Sequence, residues 1–320
     1  VQYIIFFLLF GFVASAQDST GVNYRTTRVK DSVTFKLYSW KLSETFHEKD
    51  AVGLDTLLNE FHIYNYSFKN SFSSSYLGNI GLATKSNLFF ENQNESSFIF
   101  QRAYDVYNLF PSDVLHFYTE RPFTNVSFSA GGDEEQNLNV IHTQNVNKNF
   151  NFGLRLRSVG SEGFYLRQFV KHKMFQFWTS YNTNHYAVHA SYTTSSNNLF
   201  HNGGVIDDSF ITDSTARSSN VLVKLNDTKT EMNTRTVSIT QRLFLANRKE
   251  EVQINDTVSE TEYYPILSLG HNFSFSRSYR KFFDNVTSFY NPVENETLEL
   301  SYILILIFHK FLRFSVLHEG

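Results

Sequence analysis

Three arginines stand in segments that alternate apolar and polar residues. Arg155 and Arg157 lie in residues 149–158 (NFNFGLRLRS), and Arg242 lies in residues 234–245. Side chains alternate across a strand, so Arg155 and Arg157 share a face opposite Phe150, Phe152, Leu154 and Leu156. Fixed guanidinium groups lining a water-filled bore favour anions, most strongly where the bore is narrow and poorly screened. That is one chemistry these residues can supply. The other is structural: the same groups pair with acids such as Glu162 and fill the interior of a narrow barrel.

The remaining chemistry-bearing residues point to less. His185 and His189 are four apart, which on a strand places them on one face about 13 Å from each other. Such a pair holds a single metal only on a helix. Asp133-Glu134-Glu135 and Asp207-Asp208 could meet a cation such as Ca²⁺, but neither run has the spaced oxygen ligands of a dedicated loop, and solvated turn acids are expected. Ser161 in Gly160-Ser161-Glu162-Gly163 lacks the strand–turn–helix setting of a nucleophile elbow. No catalytic, cofactor-binding or metal-binding residue is therefore assigned, and no enzyme activity is expected.

These residues are carried by segments whose period is two. Residues 124–130 set Val126, Phe128 and Ala130 against Asn125, Ser127 and Ser129. Residues 184–192 set Tyr186, Val188, Ala190 and Tyr192 against His185, Ala187, His189 and Ser191. Residues 234–245 oppose Val237, Ile239, Leu243 and Leu245 to Thr236, Ser238, Thr240 and Arg242; residues 267–275 oppose Leu267, Leu269, Phe273 and Phe275 to Ser268, Gly270, Asn272 and Ser274. The pattern predicts antiparallel sheet between two different environments. Turns are expected at 131–133, 147–149 and 181–184, and longer polar loops at 193–219 and 247–262. The strands approach the roughly 9–11 residues of a membrane crossing, and their polar face carries Asn, Ser, Thr and Gly rather than dense charge. Tyr165, Phe169, Phe175, Trp178, Tyr181, Tyr186 and Tyr192 are placed where an interfacial girdle would sit. An up-and-down transmembrane β-barrel accounts for this better than a soluble sandwich.

Composition agrees. The chain has 320 residues, 54 of them aromatic (Phe 34, Tyr 18, Trp 2), with only 4 prolines and 14 glycines, which excludes disordered and collagen-like chains. A net charge of −3 gives no basic face for nucleic acid. The absence of cysteine removes disulfides, thiolate nucleophiles and Cys-ligated zinc. A mean hydropathy of −0.30 argues against a helical membrane bundle. Residues 1–13 (VQYIIFFLLFGFV) followed by Ala14-Ser15-Ala16 read as a secretory signal peptide spanning 1–16.

Further along, residues 38–40 (YSW), 54–65 (LDTLLNEFHIYN), 76–81 (YLGNIG), 118–124 (YTERPFT), 131–136 (GGDEEQ), 142–145 (HTQN) and 202–204 (NGG) form an ordered series. It resembles the N-terminal part of the β-barrel porins of Bacteroidetes, over residues 38 to 210. The resemblance implies an outer-membrane β-barrel passing small solutes, in contact with outer-membrane lipid, without cofactor or catalytic residues; association of identical copies is left open. Members of that family are usually longer. The organisation expected is a signal peptide (1–16), an N-terminal segment leading into the barrel (17–90), barrel strands and loops (91–297) and an apolar tail (298–320). In that tail, residues 298–317 (LELSYILILIFHKFLRFSVL) lose alternation after Tyr302. They read either as a transmembrane helix, costly for its Lys310 and Arg313 at about 2.5–3.5 kcal/mol each, or as the end of a truncated frame, which is preferred. A secreted or surface β-protein binding glycans or partners through long loops is the alternative function.

Overall fold

The computed structural model describes residues 37–42, 52–53, 65–91, 98–212, 221–255, 258–284 and 293–308. The signal-peptide reading of 1–16, the 54–64 part of the family-like series and residues 309–320 lie outside them. The described residues fall within one unit, 35–320.

The protein is all-β. Eight strands form one antiparallel meander in which each strand pairs with the next: β6 (Phe123–Ala130), β7 (Gln136–Asn145), β8 (Phe150–Ser161), β9 (Val170–Asn182), β10 (Tyr186–His201), β11 (Thr228–Asn255), β12 (Val258–Asp284) and β13 (Val293–Phe308). Among the described residues β6 and β13 are the two edges of this sheet, and no pairing joins them. Ahead of it, β1 (Leu37–Trp40), β2 (Val52–Gly53) and β5 (His116–Thr119) make a three-stranded sheet, and β3 (Ser74–Tyr76) pairs with β4 (Thr84–Ser86). No helix among the described residues is long and apolar enough to cross a membrane.

The short turns are set by side chains. Between β7 and β8, Asn147 Oδ1 accepts the N–H groups of Asn149 and Phe150, both at 2.9 Å, which is how an Asx residue substitutes for a backbone turn. Between β9 and β10, Thr183 Oγ1 donates to Tyr186 O at 2.8 Å and accepts the Tyr186 N–H at 3.1 Å. Between β6 and β7, Asp133 and Glu134 take left-handed conformations, φ 51° and 55°.

Register turns the dyad repeat into two continuous surfaces. Leu154, Phe177, Tyr192, Val237, Phe275 and Leu300 are successive partners across β8 to β13. One residue along, Arg155, Gln176, Thr193, Thr236, Ser276 and Glu299 form the parallel row on the opposite face. The apolar row is the open one: Phe177, Val237, Phe275, Leu243 and Leu245 are exposed, as are Val126 at 63% and Phe128 at 64% on β6. The polar row is the covered one, with Gln176, Thr193 and Thr236 buried. This is the reverse of a water-soluble sheet, in which the apolar face is the one buried. From Val237 to Leu245 the apolar positions of β11 extend for about 27 Å at ~3.4 Å per residue, close to the ~25 Å band of a membrane barrel.

What covers the polar face is the segment between residues 65 and 119. Ile80, Tyr107 and Leu109 pack with Val159 and Met174; Val114 and Phe117 pack with Trp178; Leu82 and Tyr104 pack against Val170, Leu199 and Met232. Each cluster joins that segment to the middle strands β8 to β11.

Several sequence expectations change. Residues 193–201 are the second half of β10 and 247–255 and 258–262 belong to β11 and β12, so the first third of the loop expected at 193–219 and the described residues of the one expected at 247–262 are strand. Residues 193–198 and 247–251 are polar on both faces, which hides the dyad repeat. Trp178 leaves the expected girdle: it is 1% exposed, on the covered face beneath Phe117. The eight-stranded sheet starts at Phe123, and residues 98–119 lie in the covering segment. β13 carries apolar residues up to Phe308 in register with β12, so this part of the tail is strand and not helix.

Candidate functional site

The covered face of the sheet brings the sequence-selected arginines to one side and gives each a different setting. Arg155 on β8 donates from Nε to Asn139 Oδ1 on β7 at 2.9 Å. Arg157, two residues on, is 8% exposed. Its Nη1 donates to the carbonyls of Tyr107 (3.1 Å) and Asn108 (3.3 Å), and its guanidinium lies 4.2 Å above the Tyr66 ring. Arg242 on β11 donates from Nε to Ser268 Oγ at 3.1 Å and lies over Phe244 at 5.1 Å. The partners of Arg157 are thus two backbone carbonyls about fifty residues away in sequence and a ring about ninety away, all in the covering segment and disclosed by no strand pattern. Charge-assisted bonds of this kind are the strong ones, so Arg157 ties the segment to the wall.

Other polar groups complete the seam. His172 on β9 is fully buried and meets Gly81 O through Nε2 (2.6 Å) and Asn197 Oδ1 through Nδ1 (2.7 Å). Asn197 Nδ2 in turn donates to Asn108 Oδ1 at 3.2 Å. Gln176 donates to Phe110 O at 3.0 Å, and Ser161 Oγ donates to Ile80 O at 3.0 Å. Glu135, at the β6–β7 turn, accepts the Ile80 N–H at 3.0 Å. A polar face can be buried without penalty only where its groups find partners; here the covering segment supplies those of Arg157 Nη1, His172, Gln176 and Ser161, while Arg157 Nε and His189 Nδ1 are left without one.

The histidines expected to share a face are separated by the structure. His185 is exposed in the turn before β10, while His189 is buried with its ring 4.6 Å from that of His116 on β5. Burial, and after it the proximity of His189, holds the His116 imidazole well below its usual range, so it is neutral at pH 7. The acids serve local roles. Asp207 Oδ1 accepts the Ser209 N–H at 2.9 Å, and hydrogen bonding from Ser209 lowers its pKa. Asp133 O accepts the Glu162 N–H at 2.9 Å. Among the described residues no three His, Asp or Glu side chains group as metal ligands would.

A cavity of about 380 Å³, missed by sequence reading, opens at the end of the sheet that carries the 146–149 and 183–185 turns. It lies between the three-stranded sheet and the ends of β7 to β10, walled by Tyr38, Trp40 and Tyr118 on one side and by Asn145, Asn151 and Asn182 on the other.

The chain matches the family described as "Putative porin" over residues 36–304. No curated protein and no solved structure matches it.

Proposed function

The chain belongs to this porin family, and on that premise we propose that it is an outer-membrane β-barrel wall protein that passes small solutes without catalysis or cofactor. The observation that carries the reading is the inversion of the sheet. Its apolar face is exposed over a height close to that of a hydrocarbon layer, and its polar face is covered. In water such a surface would aggregate; against lipid it is the low-energy arrangement. Backbone groups in lipid must pair internally, which antiparallel strands achieve everywhere except at the sheet edges.

Solutes on this reading pass along the polar side, beside the covering segment. Arg155 and Arg242 are cations placed there, with Arg157 engaged by the segment itself and Arg280 stacked on its Phe100, and the first three together give the passage a mild preference for anions. Planar-bilayer recording of the purified protein tests both points. Stepwise conductance is expected, with the reversal potential under a salt gradient moving toward the cation side in the Arg155→Gln/Arg242→Gln protein. Conductance with an unchanged reversal potential removes the selectivity proposal, and failure to conduct removes the passage itself.

A further inference from the structure

The cavity at the end of the sheet has a composition that the arginines and the wall do not explain. Three aromatic rings converge on it: Tyr38 and Tyr118 stack at 5.1 Å with 17° between planes, and Trp40 is tilted against Tyr38 at 5.9 Å. Facing them are four side-chain amides, Asn145, Asn149, Asn151 and Asn182, together with Lys148. Two of the amides are locked by each other. Asn151 Nδ2 donates to Asn145 Oδ1 at 2.7 Å and to Thr143 Oγ1 at 3.1 Å, and Asn145 Oδ1 also accepts the Thr119 N–H at 3.2 Å. Rigid amides on strand ends, rather than on a loop, keep their orientation whether or not anything is bound.

Two polar atoms of lining residues have no hydrogen-bond partner: the donor Trp40 Nε1 and the acceptor Asn182 Oδ1. Trp40 is buried, so its indole N–H is an unmade bond of the costly kind. A hydroxyl group both donates and accepts, and so matches the donor and acceptor sides of the side-chain amides that line the space. The aromatic rings present negative faces to electropositive C–H groups. A ligand that carries many hydroxyls around a ring whose faces are C–H is a sugar. At about 380 Å³ the space lies in the range of small-ligand pockets, roughly 300–1,000 Å³. We propose that this cavity is a saccharide site, taking one pyranose unit of a neutral sugar between the aromatic wall and the amides.

The site needs the fold but not the passage of solutes, so binding is measured apart from conductance. The full chain in detergent is titrated with D-glucose, maltose and N-acetylglucosamine, with sorbitol as a polyol that has the hydroxyls but no ring. Trp40 and Trp178 are the only tryptophans, so in the Trp178→Phe protein Trp40 alone reports by fluorescence; calorimetry on the native chain gives the same answer without that substitution. Saturable binding of at least one ring sugar is expected with a dissociation constant on the order of millimolar, and little response to sorbitol. Asn182→Ala and Tyr118→Ala should each weaken it about tenfold, whereas Glu134→Gln, at the opposite end of the sheet, should leave it unchanged. The absence of saturation with all three sugars, an equal response to sorbitol, or native affinity in both cavity variants would overturn the proposal.

Discussion

Replacing Arg157 by methionine tests whether the covering segment is held by the wall at one identifiable point. The side chain gives two charge-assisted bonds to Tyr107 O and Asn108 O and stacks on Tyr66. Bonds to a charged group contribute about 1.5–3 kcal/mol each, and a shielded cation–π contact about 1–2 kcal/mol. Against this stands the cost of keeping a guanidinium 8% exposed, several kcal/mol that methionine would release. Methionine fills much of the volume but leaves both carbonyls without donors. The net loss expected is roughly 2–4 kcal/mol, confined to the segment, since the wall's own ladder bonds are untouched. That corresponds to about a 30- to 1,000-fold rise in the population with the segment undocked. Limited trypsin digestion in detergent reads it directly: cleavage after Arg102 should accelerate by a factor in that range, while heat-modifiable gel migration of the wall stays as in the native chain. Unchanged cleavage would refute the reasoning, because the segment would then be held by its apolar contacts alone.

Other perturbations follow from the same seam and wall. His116 is kept neutral by burial and by His189, whereas in the unfolded chain it titrates near 6.5. Its contribution to docking is therefore complete above about pH 6.5 and shrinks as the pH falls through that value, because the unfolded chain gains a proton that the folded one refuses. Tryptic cleavage of the segment should accelerate between pH 7 and 5, and His116→Gln should flatten that dependence; a native slope in the variant would exclude His116 as its source. Gly153→Ala places a methyl group against the Trp178 ring and 2.9 Å from His142 O, an overpacking worth about 1–3 kcal/mol. The temperature at which the folded gel band disappears should drop, and no drop would mean that Trp178 moves freely.

What could be read from the sequence depended on where contrast existed between the two strand faces. In residues 149–158 and 124–130 one face is apolar and the other polar, so β8 and β6 were found almost to their ends. In 193–198 and 247–251 both faces are polar, and strand looks like loop until register is seen. Alternation puts Arg155, Arg157 and Arg242 on the polar face of their strands, and register makes that the covered face. What they touch was not legible, since Arg157 meets carbonyls contributed by a segment without dyad repeat. The same holds for the cavity: Tyr38 and Trp40 reach Asn145 and Asn182 only through the pairing of β1 with β5. Trp178 was misplaced because an aromatic residue in an alternating strand suits a lipid interface and a covered seam equally well.

The most direct test of the inverted sheet uses the fact that the chain has no cysteine. Single cysteines are introduced on β9 at Met174, Phe175, Gln176 and Phe177, spin-labelled, and placed in lipid bilayers. Collision with oxygen, which concentrates in lipid, is compared with collision with a water-soluble nickel complex. Phe175→Cys and Phe177→Cys are expected to favour oxygen, and Met174→Cys and Gln176→Cys to be shielded from both. If the oxygen-accessible positions are 174 and 176, or if the four labels respond alike, the exposed apolar face does not meet lipid and the porin-like wall is contradicted.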